Sequence, residues 1–147
     1  MNKYIILLLS LVPLYAISDS LDLPTVQSTK VENHCEILFN HKVVSKHDCE
    51  YESPSYLTSY SLLPDSWTGV WVFQDAPMGN SCEAGTIRVI SMDADDNIKT
   101  YNPIDYCSGK ILIENGSEQV KIMIYNEAGE KKYNAWVFKD NNLINQK

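Results

Sequence analysis

Residues 69–74 read GVWVFQ, a run in which both faces of an extended strand would be apolar. Trp71 and Phe73 would lie on one face and Val70 and Val72 on the other, because side chains alternate along a strand. β-Branched and aromatic residues dominate the run, as is typical of strands. The stretch therefore predicts a β-strand that is buried on both faces.

Five further apolar runs follow this stretch, each separated from the next by turn residues. They are TIRVIS (86–91), NIKTY (97–101), KILIE (110–114), QVKIMIY (119–125) and YNAWVFK (133–139). The gaps between them are rich in Gly, Pro, Asn and Asp, which favour tight turns. Val120, Ile122 and Ile124 share one face of their run, which is the alternation of a strand with one apolar side. The pattern predicts an antiparallel meander over residues 67–140.

The run at 133–139 resembles the run at 69–74 because it too is apolar on both faces, with Trp136 and Phe138 on the same side. We expect these two strands to lie side by side and to close the sheet, since closure hides strand edges that promote aggregation. No segment after residue 18 has the hydrophobic period of a helix. The sequence thus predicts an all-β fold, a small antiparallel barrel or flattened sandwich of about six to eight strands with an N-terminal disulfide-stapled hairpin.

The start of this region, Trp67-Thr68-Gly69-Val70-Trp71, resembles the Gly-x-Trp opening of calycin-type barrels. In that family the Trp plugs one end of the barrel. The resemblance covers two residues and implies no ligand pocket and no function for this chain. It favours a buried core position for the Trp.

The N-terminal segment has the features of a secretory signal. Lys3 precedes an apolar run over residues 4–16, and Ala16 and Ser18 offer small side chains to a signal peptidase. The run is shorter than the roughly 20 residues that span a bilayer, so we expect cleavage after Ser18, no stable membrane anchor, and a periplasmic or secreted protein. The predicted mature chain has an extended lead-in (19–33) and a single β domain (34–147) with a hairpin (34–51), a loop (52–66) and the meander (67–140).

Export decides how the four cysteines are interpreted, because an even number of cysteines in an exported domain indicates disulfides. They are Cys35, Cys49, Cys82 and Cys107. Residues 36–48 hold two strand-favouring runs around a turn, so a hairpin would bring Cys35 and Cys49 together. A turn at 93–97 would do the same for the second pair. Of the three possible connectivities, the sequence favours 35–49 and 82–107.

Three histidines, His34, His41 and His47, surround the first cysteine pair. Histidine and cysteine are zinc ligands, but the spacing lacks any C-x2-C or H-x3-H couple and matches no closed zinc site. We interpret the three as exposed hairpin residues and predict neither a metal nor a cofactor. The meander contains no histidine, so a nucleophile there would lack the usual base, and we predict no catalytic residue and no enzyme activity.

The chain carries 19 acidic against 12 basic residues, a formal net charge of −7 at pH 7. A nucleic-acid partner is not expected, because an acidic chain with a single arginine, Arg88, cannot neutralise a run of phosphates. Acidic residues concentrate at 93–96. Asp93, Asp95 and Asn97 match the first ligands of a calcium loop, but Ile98 stands where that loop needs Gly. A polar hairpin tip is the better interpretation.

The nine tyrosines are more than a core of this size requires. Tyr51, Tyr56 and Tyr60 fall in a segment with little means of burying them all. Aromatic side chains beside carboxylates are typical of protein-binding surfaces, and an acidic surface attracts basic partners. The partner-binding candidates are therefore Asp93, Asp95, Asp96, Tyr56 and Tyr60.

The functional hypothesis is an exported, soluble, acidic protein that neutralises or captures a basic enzyme or toxin in the periplasm. The hypothesis rests on an analogy with immunity proteins and lysozyme inhibitors in charge and compartment, and not in any sequence motif. Such a protein acts by occlusion, without chemistry. Two alternatives are a small barrel that binds an apolar small ligand and a secreted enzyme or effector. The residues do not indicate an oligomeric state.

Overall fold

The structure, a computed structural model, describes residues 23–49, 53–76, 85–105, 109–125 and 132–146. Within these ranges the chain forms eleven β-strands: β1 Val26–Val31, β2 His34–Phe39, β3 Lys42–Asp48, β4 Tyr56–Leu63, β5 Thr68–Gln74, β6 Ile87–Met92, β7 Ile98–Thr100, β8 Lys110–Asn115, β9 Val120–Tyr125, β10 Lys132–Lys139 and β11 Asn142–Gln146. None of these residues belongs to a helix that could cross a bilayer. The all-β prediction is confirmed.

In the described part of the chain the strands form three antiparallel sheets. The first sheet has the order β1-β2-β3, the central sheet β4-β5-β6-β7, and the third sheet β11-β10-β9-β8. Strands that follow one another in the sequence pair with one another, except where the chain passes to a new sheet after β3 and after β7. The predicted meander is therefore divided between two sheets.

The central sheet is covered on both faces. Val70 and Val72 of β5 belong to a buried cluster with Val120 and Ile122 of β9, so one face packs on the third sheet. On the opposite face, side chains of β5 pack on the first sheet in a second cluster, whose buried members are Ile37, Phe39, Trp71, Phe73 and Ile90. The apolar character of residues 69–74 on both faces follows from this position in the middle layer.

The prediction that the sheet closes into a barrel is wrong. β5 and β10 lie in different sheets, where β5 pairs with β4 and β6 and β10 pairs with β9 and β11. The apolar faces of these strands are covered because the sheets stack on one another. This arrangement leaves two edge strands on each sheet. The strand count in the described ranges also exceeds the predicted six to eight.

Three strands were not predicted. β4 lies inside the segment 52–66 that was expected to be a loop, β1 lies inside the lead-in 19–33, and β11 follows the predicted end of the meander at 140. All three are edge strands of their sheets. The six strands predicted between residues 67 and 140 are present, with ends shifted by at most one residue.

The predicted stapled hairpin is confirmed, because Cys35 and Cys49 form a disulfide with a Cα–Cα distance of 5.7 Å. β2 and β3 are joined by Asn40 and His41, whose φ values of 48° and 64° are those of a type I′ turn. Cys82 and Cys107 lie outside the described residues, as do Tyr51 and the signal segment 1–18. The second disulfide and the signal therefore stay predictions.

Candidate partner-binding cleft

Two turns meet at one end of the central sheet. The β4–β5 turn spans residues 64–67, since Leu63 pairs with Thr68. The β6–β7 turn spans residues 93–97, since Met92 pairs with Ile98. Because Gly69 pairs with Met92, the two turns project from the same end of the sheet.

A cleft of about 340 Å³ lies beside these turns. Its lining consists of Leu23, Tyr60, Leu62, Trp67, Gly69, Trp71, Met92, Asp93, Ala94 and Asp96. Part of the floor is a cross-strand row in which Gly69 stands between Leu62 and Met92. The missing side chain makes room for the neighbouring indole: a Cβ on Gly69 would lie 2.5 Å from Cη2 of Trp71. The glycine is thus what allows the aromatic ring to form the floor.

Trp71 is held firmly in that floor, since only 4% of its surface is exposed. Its ring meets Phe39 edge-on, with centroids 4.8 Å apart, and is tilted against Tyr60 at 4.9 Å. Burial raises the pKa of the Tyr60 phenol. The buried Tyr60 hydroxyl has no hydrogen-bond partner among the described residues. The burial of Trp71 is the core position that the sequence favoured.

Trp67 forms an exposed part of the cleft lining. More than half of its surface is exposed (55%), and its φ of 49° lies in the left-handed region. That conformation costs a residue with a Cβ about 1–2 kcal/mol, and Gly or Asn normally occupies it. The last position of the β4–β5 turn therefore presents an indole to solvent where a turn-forming residue would be expected.

Two carboxylates of the β6–β7 turn complete the cleft. The Asp93 carboxylate accepts hydrogen bonds from the backbone N–H groups of Asp95 and Asn97 and from the side-chain amide of Asn97. These bonds, above all those from Asn97, lower the pKa of Asp93, so its charge persists into acidic solution. Asp96 adopts a left-handed φ of 61°. The predicted polar hairpin tip is therefore confirmed.

The structure brings together three of the five predicted contact residues, because Tyr60, Asp93 and Asp96 all line the cleft. Asp95 belongs to the same turn but does not line it. Tyr56 pairs with Gln74 at the opposite end of the central sheet and is exposed there. Trp67 was missed as a contact candidate. An aromatic residue at the end of the turn sequence PDSW was the available signal.

A second polar cluster joins the first sheet to the central sheet. Ser55 Oγ donates to Oδ1 of Asp75 at 2.6 Å, and Arg88 holds the same carboxylate with three contacts of 2.7–3.0 Å. Nε2 of His47 lies 3.2 Å from Ser55 Oγ and 3.3 Å from Asp75 Oδ1. The prediction that all three hairpin histidines are exposed is wrong, since the His47 side chain is largely buried and His34, which contacts Glu36, is partly buried.

The hydrogen bonds of this cluster do not run in the directions that a serine nucleophile and its histidine base require. The Ser55 hydroxyl has one hydrogen and gives it to Asp75, so Nε2 of His47 must be the donor in its own contacts. Nδ1 of His47 is buried and has no partner among the described residues. Burial lowers the His47 pKa more than Asp75 raises it. Ser55 is 3% exposed, and the arrangement is that of a structural network.

The described ranges contain no group of three or more His, Cys, Asp or Glu side chains placed to hold a metal ion. Comparison of the chain with protein-family models, with curated proteins and with solved structures finds no match. The cleft offers an exposed indole, an apolar floor and two carboxylates. This combination suits a ligand with a cationic head and an apolar stem.

Proposed function

We propose that this protein is an exported acidic binding protein that captures a basic protein partner by covering part of its surface. The partner class is a basic enzyme or toxin of the periplasm, and capture involves no chemical step. The cleft carries this proposal, because it places the exposed Trp67 and the ring of Tyr60 beside the carboxylates of Asp93 and Asp96.

The composition of the cleft supports a protein partner. Binding surfaces are enriched in Trp and Tyr, and residues of this kind contribute most when they lie in a pocket surrounded by polar groups. Trp67 supplies the accessible ring, while Tyr60 and Trp71 supply a floor that is already packed before binding. A preformed site binds at a lower entropic cost than one that must be ordered.

The charge of the chain supports a basic partner. The formal net charge is −7, and among the described residues no lysine or arginine lines the cleft. A negative field of this kind raises the rate at which a cationic protein finds its site and weakens as salt is added.

The test is the association rate with purified basic cell-wall hydrolases and toxins, measured by surface plasmon resonance at several salt concentrations. The variant Asp93→Asn/Asp96→Asn should associate roughly tenfold more slowly at low salt, with a flatter salt dependence. A matched control, Glu114→Gln/Asp140→Asn, removes the same charge from residues that do not line the cleft. Unchanged association by the first variant, or equal slowing by the control, would count against a contact at the cleft.

A small apolar ligand is the second candidate, and the apolar lining of the cleft is the observation that favours it. The predicted container, a barrel mouth, is absent from the three stacked sheets of the described chain. A cleft of about 340 Å³ nevertheless reaches the lower end of the range for small-molecule sites. Native mass spectrometry of the purified protein would reveal such a ligand. The enzyme or effector alternative predicts toxicity when the protein is expressed with its signal segment.

A further inference from the structure

We infer that the cleft binds the guanidinium group of one arginine side chain supplied by the partner. The carboxylates of Asp93 and Asp96 are the counter-charges, and the indole of Trp67 is the surface on which the guanidinium stacks. This inference rests on the proposed function and adds the chemistry of the ligand to it. The lining shared by these three side chains carries it.

The carboxylate of Asp93 is fixed in place and still able to accept a hydrogen bond. Oδ1 receives bonds from Asp95 N, Asn97 N and Asn97 Nδ2, whereas in the described chain Oδ2 receives only the side-chain amide of Asn97 at 3.0 Å. An ionised carboxylate has about four acceptor positions. One face of Oδ2 is thus available to a donor from outside, in a group that does not have to reorganise to receive it.

The aromatic lining favours guanidinium over ammonium. A guanidinium is planar and weakly hydrated, so it stacks on an indole, whereas an ammonium is a compact ion that holds its water more strongly. Trp67 exposes more than half of its surface for such stacking. Leu23, Leu62 and Met92 offer an apolar path for the methylene stem of the same side chain.

The size of the cleft limits the occupant. Its volume of about 340 Å³ is close to the smallest that small-molecule sites have, which suits a single side chain rather than a folded segment. The net negative charge of the chain disfavours an acidic occupant. An inserted arginine is also the kind of residue that dominates binding energy at protein interfaces.

The test uses the mature full-length protein and three probes that share the same butyl chain: n-butylguanidinium chloride, n-butylammonium chloride and n-butylurea. Binding is followed by the NMR resonance of the Trp67 indole N–H, assigned with Trp67→Asn. We expect n-butylguanidinium to shift this resonance saturably and n-butylurea to leave it unchanged. Asp96→Asn should weaken binding about threefold to fivefold, the scale of one exposed charge contact. Asn accepts the left-handed φ of this position, so the turn is retained.

Asp95→Asn is the matched control, because Asp95 belongs to the same turn without lining the cleft. Absence of a saturable shift, equal binding of n-butylammonium, or equal effects of Asp95→Asn and Asp96→Asn would overturn the inference. Measuring the capture of a basic partner separates a failure of this inference from a failure of the proposed function. If n-butylguanidinium does not bind while Asp96→Asn still slows capture of a basic partner, the arginine chemistry alone is wrong. If both fail, the cleft is not the binding surface.

Discussion

Gly69 should not tolerate a methyl group, although its backbone would accept one. Among the described glycines, Gly109 has a positive φ and Gly69 does not, so alanine at position 69 introduces no backbone strain. The obstacle is the indole of Trp71. A Cβ on Gly69 would lie 2.5 Å from Cη2 and 2.7 Å from Cζ3 of that ring, distances at which one of the two groups must move.

The indole has little room to move, because Trp71 is buried and packs between Phe39 and Tyr60. Gly69→Ala therefore overpacks the floor of the cleft, and overpacking of this kind costs about 1–3 kcal/mol. For a chain of this length the loss corresponds to a decrease in melting temperature of roughly 3–10 °C. Displacing the indole also shifts Tyr60, so we expect weaker partner binding in addition to lower stability.

A double-mutant cycle measures the clash directly. Urea unfolding gives the free energies of unfolding of the wild type, Gly69→Ala, Trp71→Phe and the double variant. The smaller ring of phenylalanine lacks the two atoms that the new Cβ would meet. Gly69→Ala should therefore cost less than about 0.5 kcal/mol in the Trp71→Phe background, which gives a coupling of about 1 kcal/mol or more. Equal costs in both backgrounds, or no cost in the wild type, would refute the reasoning.

Three further variants or conditions test the first sheet and its connection to the central sheet. Burial lowers the His47 pKa from its ordinary 6.5, so near and just below pH 6.5 the unfolded chain binds a proton more readily than the folded protein does. Urea unfolding should therefore show that the free energy of unfolding falls as the pH drops from 7.5 to 5.5, and that it falls less in His47→Gln. Asp75→Ala removes the carboxylate that Arg88 holds and should cost about 3–5 kcal/mol by the same assay, whereas a loss below about 1 kcal/mol would mean that the pair is not structural. Replacing Cys35 and Cys49 by serine opens the stapled loop and should lower the free energy of unfolding by about 3 kcal/mol. An unchanged midpoint of urea unfolding would contradict this expectation.

The parts of the fold that the sequence predicted are those with local signals. The meander strands were found because their apolar residues alternate or run together between turn residues. The stapled hairpin was found because the turn-forming residues 40–42 stand between two strand-favouring runs. In the structure Asn40 and His41 form a two-residue turn, which fixes the pairing of β2 with β3. Both signals act within about ten residues, the range over which pattern and turn chemistry determine structure.

The edge strands were missed because they bury little. β11 is exposed at four of its five residues, and the first three residues of β4 are also exposed. Such strands need no apolar face, so they show no alternation. For β11 another signal was present, since Asp140 and Asn141 form a two-residue turn with φ values of 49° and 55°. Asp-Asn directly after an apolar run favours a hairpin turn even when the second strand is polar.

The closure of the sheet was wrongly predicted because burial on both faces does not say what covers each face. Residues 69–74 and 133–139 are both apolar on two sides, and an apolar face can be covered by a second layer as well as by a barrel wall. In this chain the central sheet is covered by the first sheet on one side and by the third sheet on the other. The choice depends on contacts between residues that are far apart in the sequence, such as Phe39 with Trp71.

The candidate binding site also depends on contacts between residues that are far apart in the sequence, so the sequence alone could not assemble it. Asp93 and Tyr60 were selected by residue type, but their meeting depends on the pairing of β4 and β6 with β5, which aligns Tyr60 with Trp71 and Gly69 with Met92. A shift of one residue in either pairing would turn these side chains to the opposite face of the sheet. For Trp67 the sequence offered only an aromatic residue at the end of a turn, and the left-handed backbone that sets it apart, which a turn-forming residue would adopt at lower cost, is visible only in the structure. The stability of the turn does not account for an exposed indole kept at that cost beside two carboxylates, whereas the proposed partner-binding cleft does.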